Sequence, residues 1–99
     1  MKIVLYCESG MSTSLLVSKM RASASDNDII DAFSISDVDT TMDKYDVVLL
    51  GPQVRIHYNS LKQMADKIGI PCLVMDMISY GRMDGKAIYL QAKEAYESK

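Results

Sequence analysis

Residues 3–17 decide the fold: Ile3-Val4-Leu5-Tyr6-Cys7-Glu8-Ser9-Gly10-Met11-Ser12-Thr13-Ser14-Leu15-Leu16-Val17. The opening Ile3-Val4-Leu5-Tyr6 is a continuous apolar run, the pattern of a strand covered on both faces of a parallel sheet. From about Thr13 the period changes. Leu16, Val17, Met20 and Ala24 then share one face of a helix. Between the two lies a loop of small polar residues around Gly10. Strand, Gly/Ser/Thr loop and helix in that order open a βα unit.

The same alternation continues outward. Ile29 to Ile35 alternates enough for a half-buried or edge strand. Val47-Val48-Leu49-Leu50 is a continuous run that stops at Gly51-Pro52, and Cys72-Leu73-Val74-Met75 is another. Leu61, Met64, Ala65 and Ile68 follow helical spacing, with Gly69 as the stop signal and Pro71 just beyond. Ile88, Ala92 and Ala95 line a last helix that starts near Asp84 or Gly85. Ser36-x-x-Asp39 predicts a capped helical turn between the second and third strands. Right-handed crossovers assemble these parts into an α/β fold: an open four-stranded parallel sheet of order 2-1-3-4, with helices on both faces. Its switch point lies between strands one and three.

Composition sets the class. The 99 residues suit one domain spanning 1–99, with 48% hydrophobic and 24% charged residues and a net charge of −2. That balance disfavours nucleic acid as a partner. No apolar run approaches the roughly 20 residues of a membrane span, and no secretory leader is visible, so a cytoplasmic location is expected. Two cysteines and one histidine make neither a disulfide framework nor a zinc cluster. Cys72 sits in an apolar run, where cysteine acts as a small hydrophobe. The acidic stretch Asp26 to Asp46, with seven acids and Lys44 as its one base, reads as a solvated edge or an interaction surface.

Ligands of open α/β sheets bind at the C-terminal strand ends beside the switch point, where residues 7–14 fall. Gly10 permits a tight turn, and Ser12, Thr13 and Ser14 are good helix N-caps. Backbone N–H groups of such a loop, at the positive end of a helix dipole, cradle a phosphate-sized anion. The same field favours the thiolate of Cys7. Together these features imply a phosphocysteine intermediate. The phosphate ligands would be Ser9, Gly10, Met11, Ser12, Thr13 and Ser14. Thiolate and amides require no metal or cofactor.

Low-molecular-weight tyrosine phosphatases and related arsenate reductases place C-x5-R-[ST] after their first strand. Here the arginine position is Thr13. A cradle without that cation loses transition-state charge stabilisation and suits relay better than hydrolysis. A cysteine-dependent phosphatase or reductase is the alternative.

Cys7-x-x-Gly10-Met11-Ser12-Thr13-Ser14-Leu15-Leu16-Val17-x-Lys19-Met20 resembles the active-site signature of the IIB component of the bacterial phosphoenolpyruvate-dependent sugar phosphotransferase system. The resemblance is to its lactose, cellobiose and chitobiose branch. Asp46 to Gln53 resembles that family's third strand and following loop, and Tyr80-Gly81-x-x-Asp84-Gly85 its lead into the last helix. The resemblance implies a fold similar to the low-molecular-weight phosphatases and a phosphotransferase activity. Cys7 would take phosphate from a phosphohistidine on a IIA component and pass it to a sugar held by the membrane component IIC. That sugar would be a β-linked disaccharide such as cellobiose, chitobiose or lactose.

Glu8 is a departure from the small polar residue expected beside the nucleophile. A carboxylate there disfavours thiolate and phosphate unless it points into solvent. Arg55, His57 and Arg82, near the same end of the sheet, read as solvated surface, with contact to phosphate or a partner as the alternative. Gln53 is the stronger candidate for a phosphate or partner contact, with Tyr80 packing over the site. Asp76 would be the general acid of a phosphatase, or a cap in a relay.

Overall fold

The computed structural model describes residues 1–8 and 11–98. Four parallel strands form its sheet: β1 (Lys2–Cys7), β2 (Ile29–Ser34), β3 (Val47–Leu50) and β4 (Cys72–Val74), in the order β2-β1-β3-β4. The helices are α1 (Met11–Ser23), α2 (Val38–Thr41), α3 (Tyr58–Lys67), α4 (Met77–Gly81) and α5 (Gly85–Glu97). Among the described residues, no helix is long and apolar enough to cross a membrane.

Strand alternation sorts the core into two layers. Ile3, Leu5, Val47 and Leu49 face α1 and α5, packing on Leu16, Val17, Met20, Ile88 and Ala92. Val4, Tyr6, Val48 and Leu50 face the other way, onto Met42, Val54, Leu61 and Ala65. Central strands β1 and β3 are buried on both faces, which is why their sequence is continuously apolar rather than alternating.

Three side chains tie the sheet and its flanking segments together. The Tyr6 hydroxyl sits 2.6 Å from Thr41 Oγ1, which itself donates to the Asp37 carbonyl at 2.8 Å, so the tyrosine is the donor of the pair. Arg21 caps the outer edge of β2, its Nε and Nη2 donating to the Ile30 carbonyl at 3.0 and 2.5 Å. Asp28 accepts from the N-terminal ammonium at 2.9 Å, from Ser25 N at 3.1 Å and from the Tyr89 hydroxyl. Burial opposes the Asp28 carboxylate, but these donors outweigh it and hold its pKa well below the ordinary range.

The structure departs from the sequence-based expectations in a few places. Helix α1 begins at Met11, two residues before Thr13. The turn after β2 is capped by Ser34, whose Oγ accepts from Ser36 N at 3.4 Å, and not by Ser36. Ile68 is 46% exposed because α3 ends at Lys67 and Ile68 is its C-cap. Gly69 at φ +77° then closes a Schellman turn, with Ile70 N bonded to the Ala65 carbonyl at 3.1 Å. The acidic stretch divides. Asp28, Asp31 and Asp46 hold structure through the N-terminus, Arg21 and the Lys2 amide, while Asp26, Asp37, Asp39 and Asp43 are exposed.

Candidate active site

Cys7 is the last residue of β1, opposite Ser34 of β2, and is 2% exposed. The chain enters α1 four residues later. No acidic side chain occupies the first turn of that 13-residue helix, so nothing there offsets the positive end of its dipole. Of the predicted phosphate ligands, Ser9 and Gly10 lie outside the described residues, as do the side chains of Met11, Ser12 and Thr13. Ser14 is exposed on the first turns of α1. Glu8 is exposed too, which puts its charge in water, the condition under which a carboxylate beside the nucleophile is tolerated.

The end of β3 closes against Cys7. Gly51 N donates to the Tyr6 carbonyl at 2.9 Å, and Val54 N donates back to the Gly51 carbonyl at 3.0 Å. A side chain at Gly51 would have its Cβ 3.7 Å from Cys7 Cβ and 2.9 Å from Gln53 Oε1. Gly51 has ordinary extended dihedrals (φ −64°, ψ 150°), so space rather than backbone angle explains the glycine. Gln53 Nε2 donates to the Tyr80 hydroxyl at 2.9 Å.

Tyr80 comes from α4, a short helix that the sequence reading missed. Its signal was Asp76 followed three residues later by Ser79. The Asp76 carboxylate accepts from Ser79 N and Ser79 Oγ, both at 2.9 Å. Those bonds hold its pKa below the usual carboxylate range. An ionised cap is no proton donor, so Asp76 does not fit the role of a general acid. Gln91 anchors the same corner, donating to the Val74 carbonyl at 3.0 Å and accepting from Asp76 N at 2.9 Å.

Arg55, His57 and Arg82 are exposed, and His57 stands at the N-cap of α3 with no side-chain capping bond. Leu15, Ile56, Met77 and Ile78 are exposed apolar residues, all in segments that follow the C-terminal end of a strand. Cys72 contrasts with Cys7 in position. It starts β4 at the far end of the sheet, and burial pushes its thiol up to about 11. At neutral pH it is a protonated core residue.

Residues 2–91 match the family model described as the lactose/cellobiose-specific IIB subunit of the PTS system. The chain is 44% identical over 94 residues to the oligo-beta-mannoside-specific EIIB component of Bacillus subtilis (strain 168), with 92% of this chain and 91% of that one covered. It is 42% identical over 99 residues to the cellobiose-specific EIIB component of Lactococcus lactis subsp. lactis (strain IL1403), with 92% of each covered. It also superposes on the solution structure of a cellobiose-specific phosphotransferase IIB component from Borrelia burgdorferi. That match has a TM-score of 0.81 and 35% identity, and covers 100% of this chain and 94% of that one. The four-stranded order is that of the low-molecular-weight phosphatase fold, which such IIB domains share.

Proposed function

The chain belongs to the lactose/cellobiose-specific IIB subunit family of the PTS, a family of phosphotransferases, and from that premise we propose that it is a phosphoryl carrier working through Cys7. The Cys7 thiolate attacks the phosphorus of a phosphohistidine on a IIA component. The N–P bond breaks, an S–P bond forms, and the imidazole leaves. A sugar hydroxyl at the membrane component IIC then attacks the same phosphorus, and the thiolate leaves. Residues 1–99 act as one cytoplasmic phosphocarrier domain in this reading. The sugar in this reading is a β-linked disaccharide such as cellobiose, chitobiose or lactose; the relatives' names carry oligo-beta-mannoside, cellobiose and galactose specificities, of which cellobiose supports it directly.

The observation that carries the proposal is the place of Cys7. It ends β1 at the switch point of the sheet, directly ahead of a long helix with no acid in its first turn. Backbone N–H groups of Ser9 to Ser14, with the Ser12, Thr13 and Ser14 hydroxyls, would hold the phosphate. The exposed apolar residues Leu15, Ile56, Met77 and Ile78 supply contact area for partners at the same end of the sheet.

Relay is favoured over hydrolysis by two features. Thr13 replaces the phosphatase arginine, and Asp76 is spent as an ionised helix cap. Incubation with an aryl phosphate tests this directly. Negligible turnover is expected, and turnover at ordinary enzyme rates of roughly 1 to 10³ per second would make the protein a phosphatase.

A further inference from the structure

Gln53 and Tyr80 come from two different strand ends, the 3₁₀ segment Pro52–His57 after β3 and α4 after β4. One end of the Gln53 carboxamide donates to the Tyr80 hydroxyl at 2.9 Å. The other end, Oε1, stands 2.9 Å from where a Gly51 Cβ would be, and that same Cβ would lie 3.7 Å from Cys7 Cβ, so Gln53 and Cys7 flank one small volume at Gly51. Both supports are hydrogen-bonded into the fold. Gly51 is tied to Tyr6 through its N–H. The corner carrying α4 is tied by Asp76, Ser79 and Gln91. The Tyr80 ring packs on the core layer of α1 and α5. A glutamine with only solvent to meet would need neither a glycine beneath it nor a phenol at its tip.

We infer that Gln53 contacts the phosphoryl group on Cys7 and that Tyr80 is the positioning residue that aims it. This rests on the phosphocysteine reading above. A carboxamide nitrogen has two protons. Tyr80 takes one, and the second is available to a phosphoryl oxygen. The amide is neutral and does not titrate, so it steadies the phosphoryl group without serving as the general base that water attack requires. The pair thereby favours transfer to a sugar hydroxyl without assisting hydrolysis.

The test uses Gln53→Ala, Tyr80→Phe and the double variant, phosphorylated from phosphoenolpyruvate through the upstream PTS proteins. Tyr80→Phe keeps the ring and its packing, so the protein stays folded. Each single change is expected to slow transfer about 3- to 10-fold, the worth of one hydrogen bond. The double variant should be no slower than Gln53→Ala, because Tyr80 acts through Gln53. The ³¹P resonance of the phosphocysteine should move in all three. A Tyr80→Phe protein with the wild-type rate, additive effects in the double variant, or an unmoved resonance in Gln53→Ala would overturn the inference alone. Absence of any phosphocysteine in the wild-type protein would overturn both it and the carrier reading.

Discussion

Replacing Gly51 by alanine separates function from stability at the wall of the site. The backbone at Gly51 is extended, so alanine adopts it without strain. The new Cβ would stand 3.6 Å from the Tyr6 carbonyl oxygen and 3.7 Å from Cys7 Cβ, both ordinary contacts. Its one conflict is with Gln53 Oε1 at 2.9 Å, the far end of a flexible side chain. The glutamine moves, and its bond to Tyr80 at 2.9 Å goes with it. Losing glycine's extra freedom in the unfolded chain stabilises by about 0.4–1 kcal/mol. Losing an exposed hydrogen bond costs about 0.5–1.5 kcal/mol. The two nearly cancel, so the melting temperature should stay within roughly 8 °C of wild type. Phosphoryl transfer should nonetheless fall about 3- to 10-fold, as for loss of Gln53 itself. Thermal melts and quenched-flow transfer from the phosphorylated IIA component measure the two effects side by side. Wild-type transfer by Gly51→Ala would rule out a role for Gln53 in holding the phosphoryl group. Destabilisation beyond about 3 kcal/mol, the range of a rigid clash, would refute the packing argument.

Gly85→Ala should behave in the opposite way. Its Cβ would fall 2.5 Å from Lys19 C and 2.6 Å from Met20 N, backbone atoms of α1 that cannot step aside, so about 1–3 kcal/mol of stability is expected to be lost in denaturant titration. Asp28→Asn should cost about 1.5–3 kcal/mol at pH 7, the scale of hydrogen bonds to a charged group. Because the folded Asp28 pKa is depressed, its contribution is complete above the unfolded value near pH 4 and fades as pH falls further. Melts of the two proteins should therefore converge in acid, and a difference that grew as pH fell would contradict the assignment. Phosphorylation should shift the amide NMR signals of Ser9 to Ser14 downfield while leaving those of the exposed Asp37, Asp39 and Asp43 nearly unmoved. Shifts confined to α3 and α5 would remove the main-chain cradle from the account.

Much of the fold was legible because the signals were local. Val47 to Leu50 reads as a strand buried on both faces because it lies in the middle of the sheet. Helical segments between the strands marked the sheet as parallel, and right-handed crossovers led to the expected order 2-1-3-4, which the sheet has. What escaped were the details of turns and the features made by distance in the chain. Ile68 keeps helical spacing with Leu61 and Ala65, but the turn at Gly69 releases it to solvent. Ser34 outcompetes Ser36 as a cap because it stands at the end of β2, one step before the turn begins. Gln53 and Tyr80 each stood out as residues of interest. Their hydrogen bond spans 27 positions and depends on α4, a five-residue helix too short to show a period. The Arg21 cap on Ile30 and the Gln91 bridge to Val74 and Asp76 are likewise side-chain-to-backbone bonds between elements. No local pattern announces them.

In the carrier reading one thiol, Cys7, carries the phosphoryl group. Intact mass spectrometry after incubation with phosphoenolpyruvate and the upstream phosphotransferase proteins tests it most directly, on wild type, Cys7→Ser and Cys72→Ser in parallel. The wild-type and Cys72→Ser proteins should each gain about 80 Da, one phosphoryl group, while Cys7→Ser folds and gains nothing. Phosphate uptake by Cys7→Ser at the wild-type rate, or its loss in a folded Cys72→Ser protein, would contradict the account.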